Sequence, residues 1–272
     1  MDNFNFFLKE DLQDIGDITT DALFSDETAQ AVIKVKEACV IAGIEEAKQV
    51  FFLQGATMTP SCHDGESVSK PSEIATVAGS VRSILSAERL ALNILGRMSG
   101  IATQTKTIVD LCRKKSKTVE IAATRKTTPG FRRYEKKAVV LGGGFAHRMG
   151  LYDAILIKDN HLKLIGSVEK SIKIMREKLM GLPIEIEVEN LEDAITAATL
   201  HVDVIMLDNI PAKIAGSITK RIKKISPSTT VELSGGITKE NILDYVFFAD
   251  RISLGLLTHT IKNIDYSMEI KN

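Results

Sequence analysis

Six short apolar runs beyond residue 117 each end on residues that carry chemistry. TVEIAA leads into Thr124, Arg125 and Lys126, DAILI into Lys158, Asp159, Asn160 and His161, and IEIEV into Glu189 and Asn190. DVIML leads into Asp208 and Asn209, TVEL into Ser234, Gly235 and Gly236, and DRISL into Gly255. Cations, then carboxylates, then glycines describe a pocket for a ligand with anionic groups and hydroxyls. Ser234-Gly235-Gly236-Ile237-Thr238, ahead of the expected helix KENILDYV, offers backbone N–H groups in anion-binding geometry. The same residues also read as a plain turn with Thr238 as helix cap. Gly142-Gly143-Gly144 before His147 and Arg148 reads either as a flexible loop delivering those two side chains or as a surface turn.

These residues need elements to hold them. Beyond Val119, strand-like runs alternate with helix-length segments such as GSVEKSIKIMREKLM, NLEDAITAATL, IPAKIAGSITKRIKKI and TKENILDYVFFA. Alternation of that kind means parallel strands with right-handed crossovers. A (β/α) barrel, one strand short of closure, fits better than an open doubly wound sheet, because no G-x-G-x-x-G opens the first helix. In a barrel the strand ends form the reactive face, and loops after the last two strands commonly bind phosphate, which adds Gly255 to the cradle. In IEIEVE the two-residue period puts Glu185, Glu187 and Glu189 on one face. Alone this would be a half-exposed strand with solvated glutamates. In a barrel the apolar face packs on helices and the carboxylates turn inward, where Lys158, Arg125 and Lys126 are candidate partners. A phosphate cradle, acids suited to ribose hydroxyls or Mg²⁺, and several cations point to a phosphorylated sugar.

Before residue 100 the pattern differs. Short β-like runs between about residues 29 and 80 precede a helical signal from Leu85 through Leu111. The 272 residues balance 35 basic against 35 acidic side chains and are 44% apolar, which excludes intrinsic disorder and a protein that coats nucleic acid or anionic membrane. No basic leader or long apolar run is present, so a cytoplasmic protein is expected. Cys39, Cys62 and Cys112 are too scattered for a disulfide framework or a zinc site and read as buried thiols.

Ten ordered motifs resemble the quinolinate phosphoribosyltransferase family, whose members are nicotinate-nucleotide pyrophosphorylases. They are Glu10-Asp11 with Gly16-Asp17-Ile18-Thr19-Thr20, Glu88-Arg89-Leu90-Ala91-Leu92-Asn93, Ser99-Gly100-Ile101-Ala102-Thr103 and Thr124-Arg125-Lys126-Thr127-Thr128-Pro129-Gly130. Gly142-Gly143-Gly144 with His147-Arg148, Lys158-Asp159-Asn160-His161, Glu187-Val188-Glu189-Asn190 and Met206-Leu207-Asp208-Asn209 continue the series. Ser234-Gly235-Gly236-Ile237, and Gly255 with Leu257-Thr258-His259, complete it. Ala123 and Ala146 depart from the Asp and Asn that the family commonly has there. A related phosphoribosyltransferase-like family associated with molybdenum uptake varies at such places too, but it usually lacks the KDNH pattern.

The resemblance implies an open α/β barrel over residues 100–261 and an N-terminal α/β sandwich domain over 1–99, joined by 262–272. It implies a pentosyltransferase of NAD biosynthesis that joins quinolinate to phosphoribosyl pyrophosphate, giving nicotinate mononucleotide, pyrophosphate and CO₂, with Mg²⁺ accompanying the pyrophosphate donor and no organic cofactor. Arg125, Arg148, a partner chain's Arg89 and His147 would bind the two quinolinate carboxylates. Glu187 and Asp208 would hold ribose hydroxyls and Mg²⁺, and Lys126, Lys158 and His259 would offset charge on the leaving pyrophosphate. Thr124, Ser234, Gly235, Gly236 and Gly255 complete the binding set; Lys126, Lys158, Glu187 and Asp208 are the candidate catalytic residues. A homodimer sharing its active sites, or a hexamer built from it, follows from the same resemblance. Competing readings are the related family with another acceptor base, a Schiff-base aldolase using Lys158, and a non-enzymatic metabolite-binding paralogue.

Overall fold

The computed structural model describes residues 4–179 and 181–271. Met1–Asn3 of the expected N-terminal domain, Met180 at the end of an expected helix and Asn272 of the C-terminal segment lie outside the described residues. The chain forms two compact units. One takes the chain up to Lys106, Thr128–Gly143 and everything from Thr260; the other takes Thr107–Thr127 and Gly144–His259.

The first unit holds α1 (Phe4–Leu12), α2 (Ile18–Leu23), β1 (Thr28–Val35), β2 (Cys39–Val40), α3 (Ile44–Leu53), β3 (Thr57–Pro60), β4 (Ser67–Val68) and β5 (Ser72–Ser80). The 33-residue α4 (Val81–Arg113) begins in it, and α5 (Arg132–Leu141) belongs to it. The last strand of the chain, Tyr266–Lys271, pairs antiparallel with β1, and the four-stranded sheet runs in the order last strand, β1, β5, β3. Ile33, Val35 and Val77 of the sheet and Phe51 of α3 are fully buried. Asp17 caps α2 by accepting the Thr19 and Thr20 N–H groups. Asp64 Oδ1 accepts the Gly43 and Ile44 N–H groups at the start of α3, at 2.8 and 2.9 Å. Lys137 Nζ lies 2.7 Å from Asp64 and 2.8 Å from Glu46. Its cation thus compensates two carboxylates grouped at that helix start.

The second unit is built on six parallel strands: β6 (Glu120–Ala122), β7 (Ile155–Ile157), β8 (Ile184–Val188), β9 (Val204–Asp208), β10 (Thr230–Ser234) and β11 (Arg251–Ser253). Their order, β6-β11-β10-β9-β8-β7, pairs the first strand with the last, as a barrel requires. Phe145 adds a one-residue parallel bridge beside Ala122. Among the described residues no pairing joins Phe145 to β7, so the (β/α) barrel is open there. The helices α6 (Asp159–Ile165), α7 (Val168–Lys178), α8 (Leu191–Thr199) and α9 (Ala212–Ile225) follow strands β7, β7, β8 and β9. Ile184, Ile186 and Val188 are buried with the two glutamates between them. β8 is therefore covered on both faces, and Glu185 and Glu187 are buried as expected, whereas Glu189, past the end of the strand, is exposed. One expected element is different. KENILDYV forms only a three-residue 3₁₀ turn, Ile242–Asp244, because the Asn241 side chain accepts the Thr238 N–H at 2.8 Å and donates to the Gly236 carbonyl at 3.1 Å, closing a loop.

Gly96 and Gly100, one turn apart on α4, let residues 261–264 cross the helix closely. A Cβ on Gly96 would lie 2.8 Å from the Ile264 carbonyl oxygen, and one on Gly100 would overlap that of Lys262. Alanine gains about 1 kcal/mol of helix propensity over glycine, but overpacking against backbone costs about 1–3 kcal/mol or more. Gly100→Ala should therefore destabilise the protein, seen as a lower urea midpoint with unchanged m-value; an equal or higher midpoint would show that residues 261–264 yield freely.

Candidate active site

Three of the sequence-predicted cations converge. Arg125 follows β6, Arg148 precedes β7 and Lys158 follows it; with His161 and an apolar wall that includes Leu151, Tyr152 and Ile165 they line one cavity of about 710 Å³. Arg125 Nε is buried without a hydrogen-bond partner, a loss of about 1–3 kcal/mol that a bound anion would recover. Arg148 Nη1 donates to the Ala154 carbonyl at 3.4 Å. Its pKa is held below the ordinary arginine value, by burial first and next by the positive charge of Arg125. Two guanidiniums that repel each other beside one cavity suit a ligand with two negative groups.

Lys158 Nζ donates to Glu187 Oε2 at 2.5 Å. Its backbone N–H is accepted by His161 Nδ1 at 2.9 Å, which ties the start of α6 to the strand end. Of the partners expected for the inward glutamates, Lys158 serves Glu187, whereas Glu185 faces His147. Asp208 ends β9, where it is opposite Ser234 of β10. Asn209 has a left-handed backbone, φ 56°, and donates its side-chain amide to Asp208 Oδ2 at 2.6 Å. Gly235, at φ 83°, packs where a Cβ would overlap the Asn209 side chain. Two successive positive-φ glycines, Gly235 and Gly236, make a loop whose N–H groups, rather than a helix end, would receive an anion. Gly255 is required for another close approach: a Cβ there would meet His259 Nε2 at 2.8 Å and Lys126 Cδ at 3.0 Å. Those two side chains, both exposed, therefore both lie beside Gly255. Thr124 Oγ1 accepts the Lys126 N–H at 3.0 Å, and the Thr258 hydroxyl donates to the Lys126 carbonyl at 2.7 Å. Arg89 lies in the other unit, exposed on α4.

Deeper in the barrel is a charged network. His147 Nε2 lies 3.3 Å from Glu185 and 3.4 Å from Glu232. Glu232, fully buried on β10, also accepts from the Ser253 hydroxyl and from Arg251 Nη1 at 3.3 Å. Arg251 continues to Glu120 Oε2 at 2.8 Å and lies over the Phe145 ring, 4.2 Å from its centroid. On the other side of the imidazole, Nδ1 accepts the Arg148 N–H at 2.8 Å, which assigns the ring proton to Nε2, facing the carboxylates. Burial opposes a charged imidazole, but Glu185 and Glu232 outweigh it and raise the His147 pKa to about 9. Burial also raises Glu185. For Glu232 burial acts upward too, but His147, Ser253 and Arg251 hold it below the ordinary carboxylate value. The network as a whole keeps a proton that a free histidine would release. Charged residues inside the apolar runs TVEL and DRISL are the signal the sequence offers for Glu232 and Arg251.

A family model described as quinolinate phosphoribosyl transferase, C-terminal domain, matches residues 101–269, and the corresponding N-terminal domain matches residues 17–99. A probable carboxylating nicotinate-nucleotide pyrophosphorylase of Archaeoglobus fulgidus is 39% identical, the match covering 94% of this chain and 98% of that protein. One of Bacillus subtilis is 38% identical over 98% of this chain and 91% of its own. The crystal structure of nicotinate-nucleotide pyrophosphorylase from Ehrlichia chaffeensis superposes with a TM-score of 0.92 at 32% identity, over 98% of this chain and 97% of that one.

The His147 pKa predicts how stability varies with pH. The network around folded His147 holds this proton up to about pH 9, against 6.5 for an ordinary histidine. The stabilisation is thus fully present below the unfolded pKa and is lost as pH rises through the folded one. The thermal midpoint should fall more steeply from about pH 7 to about pH 9.5 in the wild type than in His147→Gln. Parallel profiles would show that the imidazole and Glu185 hold no extra proton.

Proposed function

The chain belongs to the quinolinate phosphoribosyltransferase family, and from that premise we propose that it transfers the phosphoribosyl group of phosphoribosyl pyrophosphate to quinolinate, releasing pyrophosphate and CO₂ and leaving nicotinate mononucleotide for NAD biosynthesis. The observation that carries this reading is the pairing of Arg125 and Arg148 beside one cavity, with a buried Arg125 donor lacking an acceptor. Adjacent carboxylates on a planar ring match two planar guanidiniums. The names of the relatives support the same acceptor.

In the proposed reaction the pyridine nitrogen forms a bond to C1′ of the ribose as the bond from C1′ to the pyrophosphate oxygen breaks. Glu187 and Asp208, at the ends of neighbouring strands, place negative charge near the cationic ribosyl centre and accept from its hydroxyls. Lys158, held by Glu187, together with Lys126 and His259 around Gly255, receives charge developing on the leaving group. The N–H groups of the Ser234-Gly235-Gly236 loop take the 5′-phosphate. Ribosylation makes the ring nitrogen cationic, so the electron pair left on C2 when CO₂ departs is stabilised by the product itself, and a solvent proton completes the step. Glu187 and Asp208 also fit Mg²⁺. Each has one oxygen engaged by a neighbour, Lys158 or Asn209, and a second oxygen to offer, and Mg²⁺ is commonly held by one or two carboxylates plus substrate phosphates. When bound, the ion would neutralise the pyrophosphate. The Lys158–Glu187 ion pair argues against the aldolase reading, which needs Lys158 as a free amine.

Substrate choice tests this function. Nicotinate would leave one guanidinium site unfilled, so its kcat/KM should be lower than that of quinolinate by about 100-fold or more; comparable values would refute the dicarboxylate reading.

We further propose that the enzyme works in the cytoplasm as a homodimer, in which the exposed Arg89 of each chain serves its partner's cavity. Arg89→Ala and Lys158→Ala chains, each inactive alone, should regain about a quarter of wild-type activity when mixed equally and allowed to exchange, since half the dimers are hybrids with one intact site of two. No recovery, with exchange confirmed by native mass spectrometry, would place Arg89 in its own chain's site.

A further inference from the structure

The segment that delivers Arg148 follows three consecutive glycines, Gly142 to Gly144, so its position has to be imposed from outside. Two contacts do so. Phe145 is covered by Arg251 at 4.2 Å, and two residues later His147 meets Glu185 and Glu232 at 3.3 and 3.4 Å. Arg251 and His147 share a carboxylate, because Arg251 also bonds Glu232. The circuit Phe145, Arg251, Glu232, His147 therefore closes on itself and pins the segment at both ends. His147 itself has φ 54°, a left-handed backbone that is uncommon for a side-chain-bearing residue. In that conformation Nδ1 accepts the N–H of Arg148 at 2.8 Å, fixing where the arginine leaves the chain.

We propose that Glu185, Glu232 and Arg251 are positioning residues for acceptor binding: through His147 and Phe145 they hold Arg148 at the cavity, although none of the three lines it. This rests on the reading that Arg148 grips a carboxylate of quinolinate. The cluster also has the composition of a metal site, since single donor atoms of His147, Glu185 and Glu232 lie within 4.8 Å of one another. The chemistry favours positioning. An N–H donated to Nδ1 leaves the ring hydrogen on Nε2, so Nε2 presents a hydrogen and not a lone pair to the carboxylates. Arg251 and Ser253 already satisfy Glu232.

Steady-state kinetics of the full-length enzyme against both substrates test this. Arg148→Ala sets the reference. Glu185→Gln should raise KM for quinolinate about tenfold, and Phe145→Leu about threefold, with kcat and KM for phosphoribosyl pyrophosphate changed by no more than about twofold. In the Glu185→Gln/Arg148→Ala double variant the loss should be no greater than in Arg148→Ala alone, because both substitutions remove the same contact. Phe145 is partly exposed, so Phe145→Leu carries the test if the glutamine variant does not fold. If Arg148→Ala leaves KM for quinolinate unchanged, the acceptor-site reading fails and takes the proposal with it. If Arg148→Ala raises KM but Glu185→Gln and Phe145→Leu do not, or if the double loss is additive, the positioning role alone is overturned. One divalent ion per purified chain by plasma mass spectrometry, lost in Glu185→Gln, would overturn it in favour of a metal centre.

Discussion

A buried carboxylate in the middle of a parallel barrel is the constraint around which the second unit is arranged. Barrels of this kind ordinarily fill their interior with branched apolar side chains, and an uncompensated carboxylate in their place would cost several kcal/mol. Glu232 is fully buried, and its partners come from elements far apart in the chain: Arg251 and Ser253 from β11 and His147 from the loop before β7. Each is drawn inward by the same charge. Arg251 then covers Phe145, which bridges to Ala122 beyond β6. The electrostatics of the interior and the pairing at the open edge of the barrel thus share residues, and neither can be altered alone.

The cavity obeys the opposite rule. Inside the barrel opposite charges are matched, whereas Arg125 and Arg148 stand beside the cavity as like charges, and the first of them keeps a buried donor unpaired. Such an arrangement lowers the stability of the unliganded protein and becomes favourable when an anion arrives. The binding energy is stored in groups already placed and dehydrated, which is what makes preorganised sites effective. Lys158 is intermediate: it is held by Glu187, so it can face the cavity without adding fully to the repulsion.

The order of elements was legible in the sequence because each strand and helix carries its own period. Strand ends were legible because polar residues follow apolar runs abruptly, as at Ile157-Lys158 and Leu207-Asp208. Partnerships were less so. By residue type Arg125 and Lys126 suit the inward glutamates as well as Lys158 does, and only the fold shows that Glu185 turns to a histidine nearly forty residues upstream. Arg251 and Glu120, 131 positions apart, carry no local sign of each other; β11 and β6 must first pair in parallel. The segment after Thr238 departs from its helical spacing for a local reason. Its apolar spacing suits a helix, but Asn241 competes for the backbone and folds the chain back on Gly236.

Backbone strain falls where the chemistry is. Among the described residues, four that are not glycine have positive φ: Gln13, His147, His201 and Asn209. Two of them adjoin proposed substrate-binding groups, since His147 precedes Arg148 and Asn209 follows Asp208. In both, the strained residue uses its side chain locally. His147 accepts the N–H of Arg148, and Asn209 donates to the carboxylate of Asp208. A left-handed residue turns the chain sharply enough for its own side chain to reach back to its neighbour, which an extended strand end does not allow. The cost of the conformation is offset by deeper contacts, Glu185 and Glu232 for His147, and close packing against Gly235 for Asn209. Gly235 must therefore be read as part of the Asp208 machinery as well as of the anion loop: without a Cβ it makes room for Asn209 to stay where Asp208 needs it.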